Sequence, residues 1–376
     1  MRLDNNQQAF FALVRAGLWA DLEPTDMRNQ GLTEPVDWDQ IYQLAEEQSV
    51  IGLLLAGLEH SSIKPPQELL LQWIGEVQMI EQQNLAMNKF VAQLIEKLRK
   101  NDIYALLVKG QGIAQCYERP LWRACGDVDL LLSEDNYKKA VDYLAPLASN
   151  IEKEYFYNKH QGFTIDSWVV ELHGSLRGGL STRIDSVLDD VQKDIFNRCN
   201  ARSWKNGESR VFLPDVDSDI VYVFSHILTH FYKEGLGLRQ VCDWCRILCR
   251  YRSELNIRLL KCRIKRMGLL SEWKAFAAFA VGYLGMPYDA MPLYTSDAKW
   301  KRKADKICAF ILEVGNMGHN RDMSYFEKFP YLIRKMCSMR RRCGDLFRHT
   351  RIFPMDSLRF FLRIVGNGLK SVVRGE

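Results

Sequence analysis

Apolar positions along the first hundred residues recur three and four apart, the spacing of a helix that buries one stripe. Met87, Phe90, Val91, Leu94, Ile95 and Leu98 give the clearest case. Pro65-Pro66 marks a loop, and a helix is expected to begin near Gln67. The period then changes. After the Asn101-Asp102 turn, Ile103 to Val108 is a short apolar run that reads as a buried strand. A glycine-rich turn, a short helix from Ile113 to Tyr117, a strand from Val128 to Leu132 and an amphipathic helix from Asn136 to Leu147 follow. Lys153 to Tyr157 and Phe163 to His173 read as further strands, the second broken near Asp166-Ser167. From about residue 184 the pattern is mostly helical to the end, and Pro214-Asp215 opens a helix over Asp219 to Lys233. The expectation is an α+β fold: an N-terminal helical region (1–100), a small mixed-sheet core (101–183) and a C-terminal helical domain with a basic tail (184–376).

Two strands carry acids that a buried sheet would not hold without reason. Successive strand side chains point to opposite faces, so Asp127 and Asp129 share one face, and so do Glu171 and His173 in Trp168-Val169-Val170-Glu171-Leu172-His173. A charged side chain in so apolar a strand is costly unless it is paired or metal-bound. Side-by-side carboxylates suit a hard cation such as Mg²⁺, which commonly also touches substrate phosphates. Three acids on neighbouring strands can hold two such ions. Upstream, Lys109-Gly110-Gln111-Gly112 could turn backbone N–H groups and an ammonium toward an anion, and Arg123 could grip phosphate with its planar fork. Further along, His226 and His230 share a helix face, as do Arg239 and Asp243, and either pair could line a cleft or brace two helices.

These residues, taken in order, resemble the DNA polymerase beta-like nucleotidyltransferase superfamily. The segments LLVKGQGIAQCY, RACGDVDLLL, VELHGSL and HILTHFYKEGLGLRQVCDWCRIL more narrowly resemble an uncharacterised bacterial nucleotidyltransferase-like family, well over residues 85–250 and loosely beyond. The resemblance implies transfer of a nucleoside monophosphate from a triphosphate, ATP by default, to an unidentified acceptor, with release of pyrophosphate. It implies Asp127, Asp129 and Glu171 as ligands of Mg²⁺ (or Mn²⁺), and Glu171 as ligand, base or both. Lys109, Gly110, Gly112, Arg123 and Gly126 would hold the nucleotide. His173, His230, Arg239 and Asp243 would line the cleft. The chain departs from the superfamily in having a Lys-Gly rather than a Gly-Ser pair at the first turn, and a long spacing from that turn to Asp127.

Composition narrows the picture further. The chain is 47% hydrophobic and 26% charged, and its net charge of +5 does not by itself indicate nucleic acid. Eleven Lys and Arg against three acids between Arg334 and Glu376 make the tail basic, and its apolar residues (Leu358, Phe360, Phe361, Leu362, Ile364, Val365) allow peripheral contact with an anionic membrane. The longest uncharged apolar stretch, Ala275 to Met286, is too short for a transmembrane segment. Ten cysteines without a secretion-signal pattern read as reduced thiols in a cytoplasmic protein. Cys242, Cys245 and Cys249 have the spacing of a buried helix face rather than of a zinc knuckle. Two other classes fit the same residues: a nucleotide-sensing or partner-binding module without turnover, and a basic membrane-surface or nucleic-acid-binding protein.

Overall fold

The computed structural model describes residues 2–20, 35–155, 157–197, 200–321 and 329–374. Four helices open the chain: α1 (Asn5–Leu18), α2 (Trp38–Glu47), α3 (Ile51–Glu59) and α4 (Gln67–Arg99). The central unit follows as β1 (Ala105–Val108), α5 (Gly110–Ala114), β2 (Asp127–Leu132), α6 (Glu134–Leu144), β3 (Asn150–Ile151), β4 (His160–Ile165) and β5 (Trp168–His173). After α7 (Thr182–Asn197) a hairpin of β6 (Arg202–Asn206) and β7 (Ser209–Leu213) intervenes. Then come α8 (Val216–Lys233), α9 (Leu238–Arg250), α10 (Ile257–Met267), α11 (Leu270–Leu284), α12 (Ala298–Val314), α13 (Tyr331–Thr350) and α14 (Pro354–Arg374). The architecture is α+β, with a mixed sheet between helical regions.

The sheet order is β1-β2-β5-β4-β3, with β2 and β5 parallel and the other pairs antiparallel. Asp166 and Ser167 both have positive φ (48° and 70°), so a two-residue turn splits the expected Phe163–His173 strand into β4 and β5. One face of the sheet is apolar. Leu107, Val128, Leu130, Leu132, Val170 and Leu172 form one cluster with the helical stripe of α4 and with Tyr137, Ala140 and Leu144 of α6. Burying each such aliphatic side chain stabilises by roughly 1.5–3 kcal/mol, which fixes the register of the whole sheet. The opposite face therefore receives Asp127, Asp129, Glu171 and His173, while Leu106, Val108 and Leu131 on that face join the larger helical core.

That larger core unites both ends of the chain. The rings of Phe11 (α1) and Phe279 (α11) lie 6.5 Å apart, and the Trp19 indole donates to the Leu284 carbonyl at 2.6 Å. Helix α1 crosses α3 closely, because a Cβ at Gly57 would strike the Leu13 carbonyl. The apolar stretch Ala275 to Met286 falls largely in α11, a buried core helix. Among the described residues no helix is long and apolar enough to cross a membrane.

The β6–β7 hairpin lies in the region read as mostly helical, and the Asn206-Gly207 pair, which leads into its Gly207-Glu208 turn, was its signal. The tail is helical and folds back onto α8. Phe360 packs on Tyr232 (centroids 4.9 Å apart), and Ile352, Phe353 and Ile364 enter the core. Met355, Leu358 and Leu362 face outward and are at least half exposed.

Candidate active site

The register of the sheet assembles the acids. Asp129 on β2 lies directly opposite Glu171 on the parallel neighbour β5, and Asp127 lies two residues along on the same face. One carboxylate oxygen from each of the three lies within 4.8 Å of the others. Lys109, at the end of β1, has φ 56° and ψ −145°. A lysine in this left-handed region is strained. The adjoining Gly110 has φ 38°, and the next turn is the start of α5. The Lys109 ammonium reaches Asp129 Oδ1 at 2.6 Å, and the strained backbone is offset by a buried ion pair. His173 Nε2 donates to the same Asp129 oxygen at 2.7 Å.

The charge balance is uneven. At an effective dielectric of about 20, two unit charges 4.8 Å apart repel by about 3.5 kcal/mol, so three mutual pairs approach about 10 kcal/mol. The Lys109–Asp129 pair returns about 6 kcal/mol on the same scale. Titration behaviour reflects this crowding. Asp129 and, after it, burial push the Asp127 carboxyl above its ordinary value. Burial would push Glu171 the same way, but His160 and His173 beside its carboxylate and the Lys109 charge outweigh it and hold Glu171 well below the usual carboxylate range. Burial works against the charged form of His173, but its hydrogen bond to Asp129 and the nearby Glu171 carboxylate prevail and raise it.

The donor set is hard and oxygen-rich, it is anionic in excess of its cations, and it is half-buried rather than solvated. Asp127, Asp129 and Glu171 therefore suit one or more divalent cations of the Mg²⁺ or Mn²⁺ kind.

Helix α8 brings side chains within the electrostatic reach of the acids. Tyr222, His226 and His230 follow one another at four-residue spacing on one face. Burial pushes the Tyr222 phenol up to about 12, with Lys109 opposing and Asp129 and Glu171 adding to the shift. Burial, then the charges of Lys109, His230 and His173, depress His226 far below its ordinary value, so it is a neutral imidazole facing the site. His226 and His230 share a hydrogen bond (Nε2···Nε2 2.9 Å), and His230 Nδ1 lies 2.9 Å from Glu234.

The remaining candidates divide between the cleft and its supports. Gly126 leaves open space where a side chain would stand, immediately before Asp127. Gly112 is buried instead against Leu213, where an added Cβ would come within 2.8 Å of that side chain, so its small size serves packing. Arg123 does not face the acids with a free fork. Its Nε and Nη2 donate to the two oxygens of Asp243 at 2.7 and 2.6 Å, with both side chains almost fully buried. The Tyr117 hydroxyl also donates to Asp243. Arg239 donates to the Ala124 carbonyl at 2.6 Å, and its charge favours ionised Asp127. Asp243, Arg123 and Arg239 thus position the loop that delivers Asp127.

His160 and Tyr222 were not among the sequence candidates. The signal for His160 was the Asp166-Ser167 turn: a two-residue hairpin centred there pairs position 160 with 173. Cys242, Cys245 and Cys249 are buried in the apolar core, outside both groups of potential metal ligands found among the described residues.

A mixed sheet that gathers three acids on one face defines the class as α+β, with a carboxylate cluster able to hold a metal ion. The chain belongs to a family of uncharacterised nucleotidyltransferases, whose family model matches residues 34–285, and that membership supports nucleotidyl transfer as its general kind of activity. No curated protein and no solved structure matches it significantly.

Proposed function

We propose that the protein transfers a nucleoside monophosphate from a nucleoside triphosphate, ATP by default, to an acceptor bearing a nucleophilic group, and releases pyrophosphate. The observation that carries the proposal is the convergence of Asp127, Asp129 and Glu171, under-neutralised by Lys109 and His173.

In this reading the three carboxylates would hold Mg²⁺ or Mn²⁺, which when bound supplies charge neutralisation for the triphosphate and lowers the pKa of the attacking group. Lys109 has a second role beside its ion pair: an ammonium at the edge of the acids can shift from Asp129 to a phosphate oxygen once a cation replaces it there. Gly110 and Gly126 leave the backbone accessible at the turn and beside Asp127. Glu171 fits a ligand better than a general base, because a carboxylate held so far below neutrality is a weak proton acceptor. Buried Tyr222 and neutral His226 stand near the acids, and Arg239 holds the Ala124 loop that leads into them. The barrier falls mainly by positioning and electrostatic stabilisation.

The test is incubation with each α-labelled triphosphate, Mg²⁺ or Mn²⁺ and a cell extract, comparing wild type with Asp127→Asn. A product labelled by wild type alone supports the proposal and reveals nucleotide and acceptor class. Metal-dependent triphosphate binding with no labelled product under any combination would favour a sensing module instead.

A further inference from the structure

The edge of the site beyond Glu171 has a different chemistry from the acids. His160 on β4 and His173 on β5 are register partners, so both imidazoles rise from the same face. Their ring centroids are 4.8 Å apart. Gly162, opposite Glu171, carries no side chain and the Glu152 carboxylate lies over it, while His160 reaches diagonally across the ladder to Glu171. His160 Nε2 lies 3.0 Å from Glu171 Oε2, and His173 Nε2 lies 3.5 Å from the same oxygen. Ligand atoms about 2.1 Å from a common ion and 90–110° apart stand about 3.0–3.4 Å from one another. The two separations from Glu171 Oε2 are close to that spacing, and the three ligand groups lie within 4.8 Å of one another.

One proton on His173 Nε2 cannot serve both of the carboxylates that it approaches. The Nε2 of His173 carries a single proton, which is directed at Asp129 2.7 Å away. Its 3.5 Å approach to Glu171 is then too long and has no proton to share. An ion bound between these groups would displace the Nε2 proton that His173 gives to Asp129, which is released to solvent, and would take the freed lone pair.

We propose that His160, His173 and Glu171 form a second metal site, of the two-histidine, one-carboxylate kind, for a borderline divalent ion such as Zn²⁺. Imidazole donors favour Zn²⁺ and its transition-metal neighbours over Mg²⁺, which prefers oxygen. Three protein ligands leave a fourth position open to water or to a phosphate or acceptor oxygen. Glu171 belongs to this group and to the three acids alike, so its carboxylate can bridge the two sites. The assignment does not depend on nucleotidyl transfer.

The test uses the full chain, freed of any histidine tag and stripped with chelator, titrated with Zn²⁺ in excess Mg²⁺. Wild type is expected to bind one equivalent of Zn²⁺, and Co²⁺ in its place is expected to give visible d–d absorption. His160→Gln should weaken binding on the order of 100-fold, whereas Asp127→Asn should stay within about threefold of wild type. Zn²⁺ affinity unchanged in His160→Gln would overturn the proposal. So would a loss in Asp127→Asn as large as in His160→Gln, which would place the ion among the aspartates. X-ray absorption on the wild-type Zn²⁺ complex keeps the test independent of how the variants fold. Scattering from two imidazoles supports the site, and its absence refutes it.

Discussion

The buried Arg123–Asp243 pair decides whether the arginine beside the acids is a phosphate ligand or a strut. Both guanidinium bonds to Asp243 are short (2.7 and 2.6 Å), and the two side chains are 5% and 6% exposed. Burial opposes the Arg123 charge, yet the carboxylate holds it well above its ordinary value. Asp243→Asn would strand a buried guanidinium. Removing one partner of such a pair costs about 3–5 kcal/mol, whereas replacing both with apolar residues of similar volume is close to neutral. For a chain this long the loss should lower the melting temperature on the order of 10 °C, read as a midpoint because unfolding need not be two-state. Arg123→Met combined with Asp243→Leu should recover most of that loss, and Tyr117 would lose only one hydrogen bond. Differential scanning fluorimetry of the two single variants and the pair gives the result directly. If the pair is only a strut, the double variant also keeps its metal-dependent triphosphate affinity within about threefold. A double variant as unstable as the single ones refutes the strut argument. A stable double variant whose triphosphate affinity falls 100-fold or more would return Arg123 to the phosphate grip.

Other outcomes follow from the same structure. Asp127→Asn and Asp129→Asn should each reduce labelled-product formation by at least about 10³-fold. Asp127→Asn should leave the melting temperature unchanged or raised, since it relieves carboxylate repulsion, whereas Asp129→Asn should lower it, since it strands the buried Lys109 and His173. Glu272 is fully buried, and burial, then Asp356, raises its carboxyl to about 8 from an ordinary 4.5. The folded form therefore prefers the proton, so stability is full below about pH 4.5 and is lost as pH rises toward 8. Glu272→Gln mimics the protonated acid and should stabilise by about 3 kcal/mol at pH 7, flattening that slope in urea titrations across this window. A Glu272→Gln curve parallel to wild type would dismiss the idea. Gly57→Ala should cost at least about 3 kcal/mol, because its Cβ meets backbone rather than a movable side chain. Leu358→Asp with Leu362→Asp, on the exposed row of the basic helix α14, should abolish salt-sensitive flotation with anionic vesicles. Equal flotation of wild type and variant would exclude that face.

The sheet was legible because alternation is decisive where one face must be buried. Asp127 and Asp129 could share a face only opposite the side that takes Val128 and Leu130, and Glu171 likewise against Val170 and Leu172. Long-range pairing was less legible. Reading Phe163 to His173 as one broken strand left His160 outside it, though the Asp166-Ser167 turn brings it opposite His173. The β6–β7 hairpin was hidden because Arg202 to Asn206 is largely polar and carries no clear alternation, and only Asn206-Gly207 betrays it. Arg123 resembled a phosphate ligand in sequence because nothing local pairs it. Its partner Asp243 stands 120 residues away on α9. Gly112 shows the same ambiguity, since a glycine that opens a turn and one that admits Leu213 look identical in a single sequence.

The helices that follow the sheet are structural parts of the site. Without α8 and α9, Leu106, Val108 and Leu131 would expose the apolar remainder of the face that carries the acids. Asp127 would lose the Arg239 charge and the loop support from Asp243, and Tyr222 and His226 would no longer stand near the carboxylates. Burial matters energetically because the three acids repel one another more strongly the less water reaches them. It therefore raises both the cost of the empty site and the attraction of any cation that enters it. Lys109 reduces that cost in the absence of a cation, and its strained backbone keeps the ammonium within reach of Asp129. Under the proposed function, such a site would bind cation and anionic ligand together more favourably than either alone: a cation would free Lys109 from Asp129, and the freed ammonium would then be available to a phosphate.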